Sequence, residues 1–176
     1  MMSNSNPPAS NHAPELVLLM EEPLIVDAGF LRSAYQDVLG LKLDTETEFV
    51  IGQFPFFMFQ AAGVLVHVAM SDAKYGAAEY REAFPHHDFS VVRKSLGFFN
   101  SRPLAKHQGW IGASFLREQE PTGQTPYLHV GRALCPFALP GAAVGIIAPQ
   151  LHKAALFTEQ HQQLLRAGDV REIFGI

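Results

Sequence analysis

The side chains of this chain best suited to chemistry are its histidines, eight in all. His86, His87 and Asp88 stand in a row, and His67 lies inside the apolar run VLVHVAM (64–70). Two imidazoles and a carboxylate are ordinary ligands of a divalent metal. A strand histidine, His67, meeting the loop pair His86 and His87 would supply three ligands. Side chains of adjacent residues diverge in regular structure, so the site requires this pair to lie in a loop. On this reading the chain is a small metal-dependent enzyme, with His107 and His129 as further candidates. The structural alternative buries His67 with its ring donating to a carbonyl and makes Asp88 a helix cap.

The stretch LAKHQGWIGASFL (104–116) sets His107 just ahead of the single tryptophan, Trp110. His107 and Trp110 are candidates for a binding surface. Lys106 and His107 also separate a helical segment from a strand. A cation there would meet the negative end of the helix, and an imidazole would donate to carbonyls left without partners. The nucleophiles are weaker candidates. Gly112-Ala113-Ser114-Phe115-Leu116 lacks the second glycine of a nucleophile elbow, which leaves Ser114 as a small residue in a strand. Cys135 precedes Pro136 in an apolar stretch, and His129 falls on another helix face, so nothing nearby favours a thiolate. The phosphate loop, the G-x-G-x-x-G turn and the H-E-x-x-H zinc motif are all absent from the sequence.

Composition narrows the partners. Thirteen basic residues, scattered along the chain, face seventeen acidic ones for a net charge of -4, which argues against nucleic acid. The chain has 176 residues, 48% of them hydrophobic, enough for one domain with a substantial core. A lone cysteine forms no internal disulfide, and a cytoplasmic location is expected. No segment approaches the ~20 apolar residues that cross a bilayer, so no membrane association is expected. Residues 1–14, MMSNSNPPASNHAP, carry no charged side chain and no apolar run. They are expected to be a disordered arm, not a secretory signal, ahead of a single domain over 15–176.

The elements that must position the candidates follow from periodicity. LVLLM (16–20) reads as a buried strand, and Asp27 caps a helix that Gly40 ends. TEFVIGQ (47–53), FFMFQ (56–60) and VLVHVAM (64–70) read as strands, the last two joined as a hairpin through AAG. A short helix near residues 77–83 precedes a longer one from Asp88, with Phe89, Val92, Leu96 and Phe99 at helical spacing. GWIGASFL (109–116), a helix over 127–135, AAVGIIA (142–148) and a helix opened by Thr158 and closed by Gly168 complete the order. Strand and helix alternate late but not early. The expectation is an α+β domain with a mixed sheet of five to six strands covered by helices. Gly112 and Ala113 are expected to let a helix approach the sheet.

The segment AKHQGWIGASFL, followed by the helix YLHVGRAL, the strand GAAVGIIAPQ and the ending LLRAGDVREIFG, resembles bacterial domains of unknown function numbered family 4261. The resemblance covers residues 88 to 175, and the first strand and helix in outline. That family has no established activity, so the resemblance implies a fold and no mechanism. The expected function is a non-enzymatic binding or regulatory module acting through association with another protein or a second copy, with no cofactor. The metal-dependent enzyme with a divalent metal is the alternative. Fourteen phenylalanines are many for a core of this size, and those of QFPFFMF (53–59) are candidates for a contact surface as well as for the core.

Overall fold

Every side chain of Leu16–Met20 (β1) is buried. A strand with no polar face must be covered on both sides, and this one runs near the centre of a sheet with helices on both faces. The computed structural model describes residues 13–82, 84, 86–115 and 125–176. The remaining strands are Phe49–Gln53 (β2), Phe56–Ala61 (β3), Val64–Ser71 (β4), Gly109–Phe115 (β5), Ala143–Ala148 (β6) and Lys153–Leu156 (β7). They form one seven-stranded sheet in the order β2-β3-β4-β5-β1-β6-β7.

Side chains alternate between the faces. Leu16, Leu18, Ile111, Ala113 and Ile146 point to the first face. There they meet helices Ala28–Leu39 (α1), Thr125–Leu134 (α3), His161–Ala167 (α4) and Val170–Ile173 (α5). Val17, Leu19, Trp110 and Ile147 point to the second face, under helix Ser90–Ser101 (α2) and Leu104. The N-terminus of α1 is capped by Asp27, whose carboxylate accepts the Phe30 N–H at 2.8 Å, and Gly40 closes it in the left-handed conformation at φ 68°. Tyr35 of α1 crosses the first core, donating its hydroxyl to the Ala133 carbonyl at 2.8 Å and stacking on Phe59.

The α+β class stands, with two corrections. There are seven strands, because the short edge strand β7 adds one to the six read from the sequence. The sheet is not mixed, since every pair in it is antiparallel. The late alternation of strand and helix is a crossover: α3 carries the chain from β5 to β6, and β1 lies between them, antiparallel to both. Ala113 shares its core with Val130 and Ala133 of helix α3 as expected, but Gly112 does not face a helix. A Cβ on Gly112 would strike Pro14 at 2.9 Å, whereas the helix that needs glycine is α3, where a Cβ on Gly131 would collide with the Leu165 carbonyl of α4. The expected arm lies outside the described residues over 1–12, while Glu15 is already buried.

A histidine and aromatic cluster on the second face

The connection from β4 to β5 spans residues 72–108, and its first half covers the second face without long helices. Aromatic rings hold it there. Trp110, on the middle strand of the sheet, is buried and points its face or edge at three rings of this connection: Tyr75, Phe84 and His87, with centroids 5.7, 4.8 and 4.6 Å away. The imidazole of His87 stacks between Phe84 at 4.9 Å and Tyr75 at 4.7 Å. Phe84 reaches Phe56 of β3, and Phe56 stacks on His67 of β4. The cluster therefore brings His67, His87 and Trp110 into one run of rings, with His86 exposed beside it.

The rings of this cluster pack face to face and edge to face. Burial lowers the pKa of His67, and burial together with the neighbouring His86 holds His87 at about 4. Both rings are neutral near pH 7, as stacking against apolar rings requires. Among the described residues no three His, Cys, Asp or Glu side chains come together to hold a metal ion. Asp88 is engaged locally: its carboxylate accepts the Ser90 N–H at 2.8 Å and the Ser90 hydroxyl at 2.6 Å at the start of α2.

His107 occupies a second anchor point of the same connection. The 3-10 turn Leu104–Lys106 ends on it, and its Nδ1 lies 2.6 Å from the Leu104 carbonyl. Its Nε2 accepts the backbone N–H of Tyr75 at 2.8 Å, which fixes the tautomer with the proton on Nδ1. The ring is 2% exposed and stacks on Phe89. Burial is the main influence on its pKa and lowers it, with Lys74 acting the same way against the opposing effect of the Leu104 bond. His107 thus ends a helical turn through a hydrogen bond from a neutral ring. Burial disfavours the cationic form of His107 at this helix end, where Lys106 is the basic residue of the last turn.

Of the other candidates, Ser114 and Cys135 are interior groups and His129 is half-buried. Ser114 is buried on β5 opposite His67 of β4. Cys135 is buried and donates to the Arg132 carbonyl, and burial pushes its thiol up to about 12 despite Arg166 and Arg132 nearby. His129 packs its ring edge-on against Phe115. Of the QFPFFMF stretch, Phe57 and Phe59 fill the first core, while Phe56 packs on the second. Among the described residues the most exposed aromatics are instead Phe98 and Phe99, 70% and 78% exposed, followed by Phe30 of α1 at 50%. Sequence periodicity misses the Phe98 and Phe99 pair because Gly97, at φ 75° and ψ 173°, interrupts α2 and resets its phase. It misses Tyr75 because the segment around it has no period. Comparison of the chain with protein-family models, with curated proteins and with solved structures found no match.

Proposed function

We propose that the chain is a non-enzymatic binding or regulatory module acting through protein association, and that its contact surface is the Phe98 and Phe99 pair. The observation that carries this reading is two consecutive phenylalanines, both largely in solvent, with rings edge to face at 5.5 Å. Arg102 stands over the Phe98 ring at 5.8 Å from its centroid. Exposed aromatic residues beside arginine have the composition of an interface centre. The pair has a rigid base. Ser95 of α2 accepts the Ala154 N–H at 2.9 Å and donates to the Ala154 carbonyl at 3.3 Å, fastening the helix to edge strand β7. Leu156 on that strand is exposed as well.

The occupant we assign is a second copy of the chain. An apolar pair and the exposed Leu156 of edge strand β7 lie on one margin of the sheet, and two-fold symmetric contacts are the commonest among homo-oligomers. The likeness of residues 88 to 175 to the family 4261 domains is part of the same proposal at the level of fold and adds no mechanism. Light-scattering mass measured across a dilution series tests it. The unaltered chain should pass from dimer to monomer on dilution, and the double variant Phe98→Ser, Phe99→Ser should stay monomeric while melting at the same temperature. A monomer at every concentration overturns the self-association.

A further inference from the structure

A cavity of about 410 Å³ opens on the second face, where residues 86–94 meet the turn at Pro149–Leu151. Its polar lining is Tyr75, His86, Asp88, Ser90, Lys94 and His152. Tyr75 is 2% exposed, and its hydroxyl is buried without a hydrogen-bond partner. Nδ1 of His87, in the ring stacked on Tyr75, is orphaned in the same way. Buried polar atoms are nearly always paired, so two adjacent exceptions beneath one cavity call for a physical reason.

The chemistry around them has a sign. Burial and the Asp88 carboxylate both raise the Tyr75 pKa, so the phenol keeps its proton and is a donor. Lys94 contributes an ammonium, and the imidazoles of His86 and His152 can each donate. The one carboxylate of the lining, Asp88, already accepts two hydrogen bonds from Ser90 and feels both Lys94 and Arg81. Asp88 offsets the charge of Lys94, but because its oxygens are engaged by Ser90 the donors of the lining exceed its free acceptors. The volume lies within the range of small-molecule sites.

We propose that this cavity binds a small oxyanion, a carboxylate or a phosphate group, with the Tyr75 hydroxyl donating from the floor and Lys94 supplying charge at the rim. The hydroxyl is closed to solvent, so binding is accompanied by movement of the exposed rim side chains. The site is independent of the Phe98 and Phe99 surface, and either can fail without the other.

The test is an amide chemical-shift titration of the full chain with sodium phosphate and, separately, sodium acetate, each against sodium chloride at matched ionic strength, with melting temperatures recorded in parallel. Saturable shifts at Ser90 and Lys94 and a higher melting temperature are expected for at least one anion. Phosphate alone would identify a phosphate-bearing ligand, and acetate alone a carboxylate. Tyr75→Phe should weaken binding about tenfold or more, the loss of one hydrogen bond to a charged group. Without anion the same variant should melt no lower than the parent, because it removes only an unpaired hydroxyl. Lys94→Gln should weaken binding while leaving the melting temperature unchanged. Absence of saturable shifts with both anions overturns the proposal, as does unchanged affinity in Tyr75→Phe. A Tyr75→Phe variant that melts several degrees lower in anion-free buffer would also overturn it, by showing that the hydroxyl has a partner within the fold.

Discussion

Two histidines define the chemistry of the second face, and each titrates in a predictable direction. His87 is held at about 4 by burial, whereas an imidazole in the unfolded chain titrates near 6.5. The folded state therefore binds fewer protons than the unfolded state between those values. Its contribution to stability is complete above about pH 6.5 and is lost as pH falls through the folded pKa. Half-buried His67 and buried His107 act in the same direction. Urea unfolding at a series of pH values should show stability declining from neutral pH toward pH 4. His87→Phe keeps a ring in the stack between Phe84 and Tyr75, removes the orphaned nitrogen and should flatten that decline. An unchanged slope would mean that His87 is not the titrating group. His107→Leu deprives the Tyr75 N–H and the Leu104 carbonyl of their partner, a loss of roughly 2 kcal/mol or more at two buried groups. His107→Gln should lose less, since its amide can replace part of the pairing. A change below about 0.5 kcal/mol in His107→Leu would show that the connection is held elsewhere. The sequence offered two duties for these histidines, a metal site or a structural role. For His107 the bond to a helix-end carbonyl was legible from the sequence, whereas its second partner, the Tyr75 N–H, was not, because it lies 32 residues away.

At the scale of elements, legibility tracked burial and length. β1 and the hairpin of β3 and β4 were readable because long apolar runs meet clear turns. β7 was not, because it has four residues, only one of them buried, and follows a turn that His152 ends in the left-handed conformation at φ 53°. α2 was readable as far as Leu96. Beyond Gly97 the 3.6-residue period no longer holds, and Phe99, expected on the buried face, stands in solvent. Helix packing shows the same limit, since a close approach between α3 and α4 depends on tertiary geometry. Gly131→Ala should destabilise the protein by about 1–3 kcal/mol, although alanine is the better helix former, because its methyl group meets the Leu165 carbonyl. A stabilised variant would mean that the two helices separate at little cost. Ala113→Leu should cost a similar ~1–3 kcal/mol, because Ala113 is wholly buried in the core shared with Val130 and Ala133 of α3. Thermal or urea unfolding measures both.

For the whole molecule, one sheet separates two cores of different character. The first is the larger, combines aliphatic side chains with Tyr35, Phe57, Phe59 and Phe137, and is closed by four helices. The second is thinner, rich in aromatic rings and histidines, and carries the cavity beneath which two polar atoms stay unpaired, while α2 displays Phe98 and Phe99 from its outer side. Among the described residues no helix is long and apolar enough to cross a membrane. The class of fold was legible because composition and period constrain it. The assignment of aromatics to core or surface was not, because QFPFFMF and GFF look alike in sequence and differ only in what the sheet places over them. The account therefore rests on Phe98 and Phe99 meeting a second copy of the chain. Isotope-filtered nuclear magnetic resonance on an equal mixture of labelled and unlabelled chains measures that contact directly. Intermolecular cross-peaks from the ring protons of Phe98 and Phe99 are the predicted result. Cross-peaks confined to each ring's own chain, at concentrations where the dilution series is complete, would contradict it.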